Sequence, residues 1–219
     1  TYGAYKMSYN QFEDDVYVTT GDNAVLRIDG SLREEYSSYP IDGLQHTILY
    51  EPVNSSIYVM GATLSQINNS IITNVNAITG NAFSDIIFNN ISQDISISRI
   101  SSYDVANLDN NLKFSFFSST YGYLSINQYD ERIYLSAQNS NVVQVINPLG
   151  TIDHTVELSS SVYKLIYNPL RKSMWGILPG INSVIEISVE LSTVVNIHPT
   201  SYNGIYDSQF GTLDKDYEP

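Results

Sequence analysis

Carboxylates are the first side chains of this sequence to consider for chemistry, because several Asp or Glu oxygens that converge on one point can hold a divalent metal. The acidic run Glu13-Asp14-Asp15 lacks the alternating oxygen spacing of a calcium-binding loop, so we interpret it as a solvated turn. Asp85 stands alone at the start of a predicted inner strand, and no acidic residue recurs at that position. We therefore expect no metal site and no bound cofactor.

Nucleophiles and phosphate-binding loops give no stronger indication of an enzyme. The chain has no cysteine, no Gly-x-Ser-x-Gly elbow and no glycine-rich phosphate loop. Its three histidines, His46, His154 and His198, fall on different predicted strands, and no two of them are two or four residues apart. No catalytic residue is predicted, and a lactonase- or esterase-like hydrolase with a central metal is kept as the alternative function.

Net charge restricts the partners of the protein. The 219 residues include 10 basic and 23 acidic side chains, for a formal net charge of −13. Such a surface repels phosphate backbones, so nucleic acid is not expected as a partner. The sequence has no apolar run long enough to span a bilayer, and membrane insertion is not expected either. Because the chain starts at Thr1 rather than at an initiator Met, we expect it to be a portion of a longer protein.

A nine-residue pattern occurs five times in the sequence. It predicts the strands that would position any functional site. The copies start at residues 9, 50, 88, 126 and 167, so they are 38 or 41 residues apart. Position 1 holds Tyr9, Tyr50, Phe88, Ile126 and Tyr167. Position 4 holds Phe12, Val53, Ile91, Tyr129 and Leu170, and position 8 holds Val16, Ile57, Ile95, Ile133 and Met174. Since all are apolar or aromatic, we expect these columns to be used in packing, with positions 1 and 8 buried.

A period near 40 residues, made of short alternating strands, is typical of β-propeller blades. The sequence therefore predicts an all-β fold, a β-propeller with five recognisable four-stranded blades in a single domain over 1–219. A ring of six or seven blades in the complete protein is left open. The blades are predicted at about 4–42, 45–82, 83–120, 121–160 and 161–200, with 201–219 as a partial blade or tail.

A second signature precedes the predicted third strands. Asn23, Asn141 and Asn182 each stand directly before an alternating segment, and Asn69 begins a looser fourth copy in which Ala62–Asn69 would be a long loop. Together with Tyr-Asn-Pro at 167–169, this arrangement resembles the YVTN and NHL families of β-propeller repeats. The resemblance implies the fold and leaves the function open, since those families include adhesive modules, scaffolds and enzymes.

Position 9 of the pattern is aromatic in four copies, at Tyr17, Tyr58, Tyr134 and Trp175. Aromatic side chains in a row can form a carbohydrate-binding platform. Their recurrence at one structural position instead favours packing between neighbouring blades, where each ring would bury a large apolar area.

Function is expected at the loops that connect second to third strands and one blade to the next. These loops are rich in Ser, Asn, Gly and Tyr, a composition that suits protein or glycan contacts. They also vary between copies, in length at Ala62–Asn69 and in composition at Ser98–Asp104.

We predict a non-catalytic structural or interaction module of a larger assembly, either a phage virion or tail component or a bacterial surface protein. Its location would be extracellular, on a cell surface or in a virion. The candidate binding residues are Asp22, Asn23, Asn69, Tyr103, Asn141 and Asn182.

Overall fold

The computed structural model describes residues 4–32, 34–41, 47–75, 83–99, 102–107, 112–117, 122–137 and 139–200. Within them, twenty strands form five antiparallel sheets of four strands each, and one short 3₁₀ helix spans Pro179–Ile181. No helix in this part of the chain is long and apolar enough to cross a membrane. The predicted all-β fold with five four-stranded blades is confirmed. The partial blade predicted at 201–219 lies outside the described residues.

The chain divides into two compact units, and the first, Thr1–Tyr121, holds three blades. In each blade the strands pair in chain order, so every connection within a blade is a hairpin or a short loop. The first blade comprises β1 (Ala4–Asn10), β2 (Asp15–Thr20), β3 (Ala24–Asp29) and β4 (Glu34–Pro40). The second comprises β5 (Thr47–Glu51), β6 (Ser56–Met60), β7 (Leu64–Asn68) and β8 (Ile71–Asn74). The third comprises β9 (Phe83–Asn89), β10 (Asp94–Arg99), β11 (Ser102–Asn107) and β12 (Leu112–Phe117).

The second unit, Gly122–Pro219, holds the fourth and fifth blades. The fourth blade comprises β13 (Tyr123–Ile126), β14 (Ile133–Ser136), β15 (Val142–Ile146) and β16 (Ile152–Glu157). The fifth comprises β17 (Leu165–Asn168), β18 (Ser173–Leu178), β19 (Ser183–Ser188) and β20 (Thr193–Pro199).

Two predicted loops are wrong. In the second blade the third strand is Leu64–Asn68, and it leaves only Gly61–Thr63 between the second and third strands. The segment predicted as the third strand is the fourth, because Asn69 and Ser70 both have positive φ, 46° and 64°, and join β7 to β8 as a two-residue hairpin. In the third blade, the predicted loop Ser98–Asp104 is mostly strand, since Ser98 pairs with Tyr103.

Side chains at position 8 form the interior of the blades, as predicted. Ile57, Ile95, Ile133 and Met174 are buried, and Val16 is half-buried. Position 1 follows the prediction less closely: Phe88 is buried, whereas Tyr50, Ile126 and Tyr167 are half-buried. Tyr9 is 53% exposed, and the prediction that it is buried is wrong. Its hydroxyl donates a hydrogen bond of 2.8 Å to the Asp14 carboxylate in its own hairpin, which holds the ring at the surface.

Aromatic side chains at position 9 pack between consecutive blades within each unit. Tyr17 packs with Ile48 and Ile57 of the second blade, and Tyr58 packs with Ile86 and Phe88 of the third. In the second unit, Tyr134 of the fourth blade packs with residues of the fifth that include Leu165 and Met174. Burial raises the pKa of Tyr17 and of Tyr134 to about 12. Packing between blades is therefore confirmed for these three rings.

Serine side chains fix the innermost strands of consecutive blades side by side. The Ser8 hydroxyl of β1 accepts a hydrogen bond of 2.9 Å from the Tyr50 amide of β5. In the second unit, the Ser125 hydroxyl of β13 accepts a hydrogen bond of 3.2 Å from the Leu165 amide of β17. The Ser136 hydroxyl, at the end of β14, donates a hydrogen bond of 2.8 Å to the Tyr163 carbonyl, which lies just before β17. Ser8 and Tyr50, and likewise Ser125 and Leu165, differ by only one position in the repeat, so the two first strands are in register and corresponding turns of the two blades lie at the same end.

Candidate functional site

Each blade has two ends with different connections. We call the end with the second-to-third-strand loops and the blade-to-blade connections the loop end, for example Gly21–Asn23 and Ser159–Lys164. We call the opposite end the hairpin end; it carries the first-to-second and third-to-fourth hairpins, for example residues 11–14 and 147–151. The sequence predicted binding at the loop end.

Asp22 and Asn23 lie together at the loop end of the first blade, and both side chains are exposed. Asn23 is in the left-handed region with φ 61°, a conformation that Asn tolerates better than most residues. Its carbonyl accepts a hydrogen bond of 2.9 Å from the Ile41 amide, just after β4. Thr20 donates its hydroxyl proton to Asp22 across the loop. The backbone here is held in place while the two polar side chains face solvent.

Asn141 and Asn182 take the same place in the two blades of the second unit. The Asn141 carbonyl accepts from the Leu158 amide at 2.7 Å, and its side-chain amide donates to the Leu158 carbonyl at 3.2 Å. Asn182 has φ 47°, and its carbonyl accepts from the Thr200 amide and hydroxyl at 2.8 and 2.9 Å. These residues close the outer strand onto the third strand, so their first role is structural. Asn141 is exposed and Asn182 half-buried.

The other two candidates, Asn69 and Tyr103, do not lie in second-to-third-strand loops. Asn69 lies at the hairpin end of the second blade, because the residues before it form β7 rather than a loop. Tyr103 lies within β11 and pairs with Ser98 and Phe116; its side chain is outside the described residues. The loop-end candidates therefore reduce to Asp22 and Asn23 in the first unit and Asn141 and Asn182 in the second.

Carboxylates within the blades are engaged in cross-strand pairs. Buried Asp15 forms an ion pair with Arg27 on the adjacent strand, and Glu13 lies 3.1 Å from the same guanidinium. Buried Glu186 accepts hydrogen bonds from Asn196 at 2.8 Å and Ser173 at 2.9 Å, which lower the pKa of its carboxyl group. Among the residues that the structure describes, no three or more His, Asp or Glu side chains are grouped so that they could hold a metal ion.

Position 7 of the repeat is a polar column that the sequence analysis missed. It holds Asp15, Ser56, Asp94, Arg132 and Ser173, and each bonds to a side chain on the next strand, on the strand beyond it or in the adjoining turn. Lys113, for example, lies 2.7 Å from Asp94 across the third blade. The polar type recurs in all five copies, so the column was visible in the sequence. It stabilises the hairpin end of each blade.

Position 2 caps the first hairpin of every blade. The side-chain oxygens of Asn10, Asn89, Asn127 and Asn168 accept hydrogen bonds of 2.9 or 3.0 Å from the amide two residues later. Glu51, the exception in sequence, does the same with the amides of Val53 and Asn54. Position 6 has positive φ in all five copies, at Asp14, Ser55, Gln93, Glu131 and Lys172. The five hairpins therefore share one turn conformation.

This turn places position 4 at its apex, where the side chain is exposed. The exposed fractions are 67% for Phe12, 48% for Val53, 52% for Ile91, 65% for Tyr129 and 86% for Leu170. The prediction that every repeated apolar column is used in packing is thus wrong for position 4. The signal for the correct assignment was present, because an Asn two residues before an apolar residue predicts an Asx turn with that residue at the tip.

Third-to-fourth-strand hairpins show the same arrangement with different residues. Asp29 accepts from the Leu32 amide at 2.8 Å, Asn147 from the Leu149 amide at 3.0 Å and Ser188 from the Leu191 amide at 3.1 Å. All three leucines are exposed. In these three blades a polar side chain closes the turn and an apolar one projects from it, whereas the second blade has the two-residue hairpin of Asn69 and Ser70. The chemistry that such a surface can perform is binding by burial of apolar area.

Comparisons with known proteins address the fold. No protein-family model matches the sequence, and no curated protein matches it. A chain in the crystal structure of a nidogen/laminin complex is similar in structure, with a TM-score of 0.67 over 90% of this chain and 80% of that chain. The two sequences are 9% identical, so the likeness shows the fold alone. Together with the five four-stranded blades, it identifies the fold of this chain as that of a β-propeller.

Proposed function

We propose that this chain is a non-catalytic protein-binding module of a larger assembly, a phage virion or tail component or a bacterial surface protein. In this proposal it works outside the cell, on a cell surface or in a virion, and its repeats are of the YVTN/NHL type. Its partner is a protein, with a glycan as a second class compatible with polar loops. The module binds through the loop end of its blades, with Asp22, Asn23, Asn141 and Asn182 as contact residues.

One observation carries the proposal: polar side chains are exposed on a backbone that is already fixed. The Asn23 and Asn141 carbonyls each accept a bond from the end of the outer strand, at 2.9 and 2.7 Å, while Asp22, Asn23 and Asn141 expose their side chains. A fixed backbone reduces the entropy lost on binding. The solved structure that is similar in fold contains nidogen together with laminin, which supports a module that binds protein.

Site-specific photo-cross-linking in the native assembly tests this proposal. A photoreactive residue replaces Asp22 in one variant and Asn141 in another, and matched controls carry it at exposed outer-strand positions, Thr73 and Thr155. We expect protein adducts at the loop-end positions several times above those of the controls. Adducts that are equal at all four positions would argue against the loop end. A purified protein that hydrolyses lactones and retains stoichiometric metal would overturn the non-catalytic proposal in favour of the hydrolase.

A further inference from the structure

Large apolar side chains are exposed at the hairpin end of every blade in the first unit. We call them the apolar tips of this unit: they are Phe12, Leu32, Val53, Ile71 and Ile91. Their exposed fractions lie between 48% and 67%. An isolated exposed leucine needs no explanation, but apolar side chains repeated at the same end of three consecutive blades do.

Hydrogen bonds hold the apolar tips in position before any partner binds. Asn10 and Asn89 cap the turns that present Phe12 and Ile91, at 3.0 and 2.9 Å. Asp29 accepts from Ser31 and from the Leu32 amide, both at 2.8 Å. These turns are therefore ordered by their own side chains, and burying the tips costs little further conformational entropy.

The two hairpins of the first blade lie directly against each other. The Gly30 amide of the outer hairpin donates a hydrogen bond of 2.7 Å to the Asp14 carbonyl of the inner hairpin. A Cβ atom at position 30 would lie 2.1 Å from that carbonyl oxygen, so this approach requires glycine. The close approach fixes the spacing between the hairpins that carry Phe12 and Leu32.

Carboxylates surround the apolar tips of the first blade. Glu13, Asp14 and Glu34 are exposed, and hydrogen bonds from Ser31 and from the Leu32 amide lower the pKa of Asp29. Arg27 is half-buried and is engaged with Asp15 and with Glu13 at 3.1 Å. In the sequence next to Phe12 and Leu32, the four carboxylates Glu13, Asp14, Asp29 and Glu34 outnumber the one cation that adjoins Leu32, Arg33, so the charge there is predominantly negative.

We propose that the hairpin end of the first unit is a second docking surface, distinct from the loop end. Its occupant is a segment of a partner protein in which apolar side chains alternate with lysine or arginine. Apolar side chains of the segment pack on Phe12 and Leu32, while its cations approach the exposed carboxylates. Anionic lipid is disfavoured as the occupant, because the same carboxylates repel a negatively charged membrane surface.

Peptide binding to the full chain tests this inference. The probe is a fluorescently labelled peptide of alternating Leu and Lys, and its affinity is measured by anisotropy at low and moderate salt. We expect the double substitution Phe12→Ser with Leu32→Ser to weaken binding at least about tenfold, because buried apolar side chains dominate such contacts. The control substitutes two exposed apolar residues of an outer strand, Val195→Ser with Ile197→Ser, and should change the affinity less than about twofold.

Control ligands separate this inference from simpler explanations. Peptides of alternating Leu and Glu, or of Ser and Lys, should bind at least about tenfold more weakly if apolar contact and charge are both required. Equal loss of affinity in the tip and control variants would overturn the inference, as would no binding of the Leu and Lys peptide. Binding to vesicles that contain phosphatidylglycerol, abolished by the tip substitutions, would assign the surface to a membrane instead. Circular dichroism of each variant confirms that the fold is retained.

Discussion

The two ends of each blade use asparagine in different ways. At the loop end, Asn23 and Asn182 contribute their backbone: positive φ and a carbonyl that accepts a hydrogen bond from the end of the outer strand. At the hairpin end, Asn10 and Asn168 contribute their side-chain oxygen, which accepts the amides of the turn. Loop-end asparagines therefore close a sheet, whereas hairpin-end asparagines build a turn with an apolar residue at its apex.

This difference shows that repetition of an apolar residue does not by itself indicate burial. Positions 4 and 8 of the repeat are equally apolar in sequence, yet Leu170 is 86% exposed and Met174 is 0% exposed. The two positions are four apart in the sequence, and the turn between them reverses the chain. We therefore expect the largest difference in the free energy of unfolding between truncations at position 8 and truncations at position 4.

Truncation of Ile133 at position 8 should be the most destabilising change. Its side chain is 6% exposed within the fourth blade, so Ile133→Ala should lower the free energy of unfolding by about 2–5 kcal/mol through loss of apolar burial and formation of a cavity. The matched change at position 4 of the same repeat, Tyr129→Ala, should cost less than about 1 kcal/mol. Urea denaturation of both variants measures the difference. Equal losses would contradict the assignment of the two columns.

Removal of a turn cap should have an intermediate effect. The Asn168 side chain accepts the amides of Leu170 and Arg171 at 3.0 and 3.2 Å, so Asn168→Ala leaves two amides without this acceptor. We expect a loss of about 1 kcal/mol in the free energy of unfolding. Asn168→Asp keeps an acceptor oxygen and should restore most of that stability. If Asp and Ala variants unfold at the same urea concentration, the cap is not what stabilises the turn.

Glu51 allows the same cap to be tested by pH. Burial raises the pKa of this carboxyl above its ordinary value of 4.5. The folded chain therefore holds the proton at higher pH than the unfolded chain does, and the stability contributed by Glu51 is full below the ordinary pKa. It is lost as the pH rises through the folded-state pKa. Replacing Glu51 by asparagine, the residue in the other four copies, removes this titration.

Glu51→Asn should consequently gain stability relative to the unmodified chain as the pH rises above the ordinary pKa of Glu51 and through its raised folded-state pKa. Thermal unfolding across this range measures the change. Glu186→Gln provides the opposite case, because hydrogen bonds from Asn196 and Ser173 lower the pKa of Glu186, so its contribution is lost as the pH falls. A constant difference between Glu51→Asn and the unmodified chain at every pH would contradict the buried charge.

The strand order and blade interior could be read from the sequence because they depend on a repeated pattern. The position 8 column and the rings of Tyr17, Tyr58 and Tyr134 recur at fixed spacing, and burial of each enforces the same register in every blade. The prediction for the second blade is wrong because Asn69 resembles the asparagine that precedes a third strand. A two-residue hairpin with positive φ at both positions can contain asparagine too, and only the pairing of Leu64–Asn68 distinguishes the two cases.

Sites were harder to predict than strands. The exposure of Asp22 and Asn141 could be predicted, because both residues lie in polar loops. The role of Asn23 in closing the sheet could not, because it depends on a hydrogen bond from the amide of Ile41, which is distant in the sequence. The apolar tips were missed for a different reason. Hydrophobicity alone predicts packing for the position 4 residues among them, whereas the polar residue at position 2 encodes a turn that exposes the side chain two residues later.

The smallest expected effect is the change in peptide affinity when exposed leucines at the hairpin end of the second unit are replaced. In the second unit, Leu149 and Leu170 are more exposed than Phe12 and Leu32, at 84% and 86%. The neighbouring charges differ in sequence. Arg171 and Lys172 follow Leu170, and the Lys172 ammonium lies 4.6 Å from the centre of the Tyr129 ring, whereas Leu32 is followed by one cation, Arg33, and by two carboxylates, Glu34 and Glu35. Cations at this end oppose the approach of a basic segment.

Substituting Leu149→Ser with Leu170→Ser should therefore change the affinity for the Leu and Lys peptide less than about twofold, although more apolar surface is removed than at Phe12 and Leu32. The same anisotropy measurement provides the comparison. If exposure alone governed binding, this variant would lose more affinity than the variant of the first unit. That outcome would show that peptide binding depends on the exposed apolar area alone and not on charge. An additional substitution, Lys172→Glu, should strengthen peptide binding to the otherwise unmodified chain by making the second unit resemble the first.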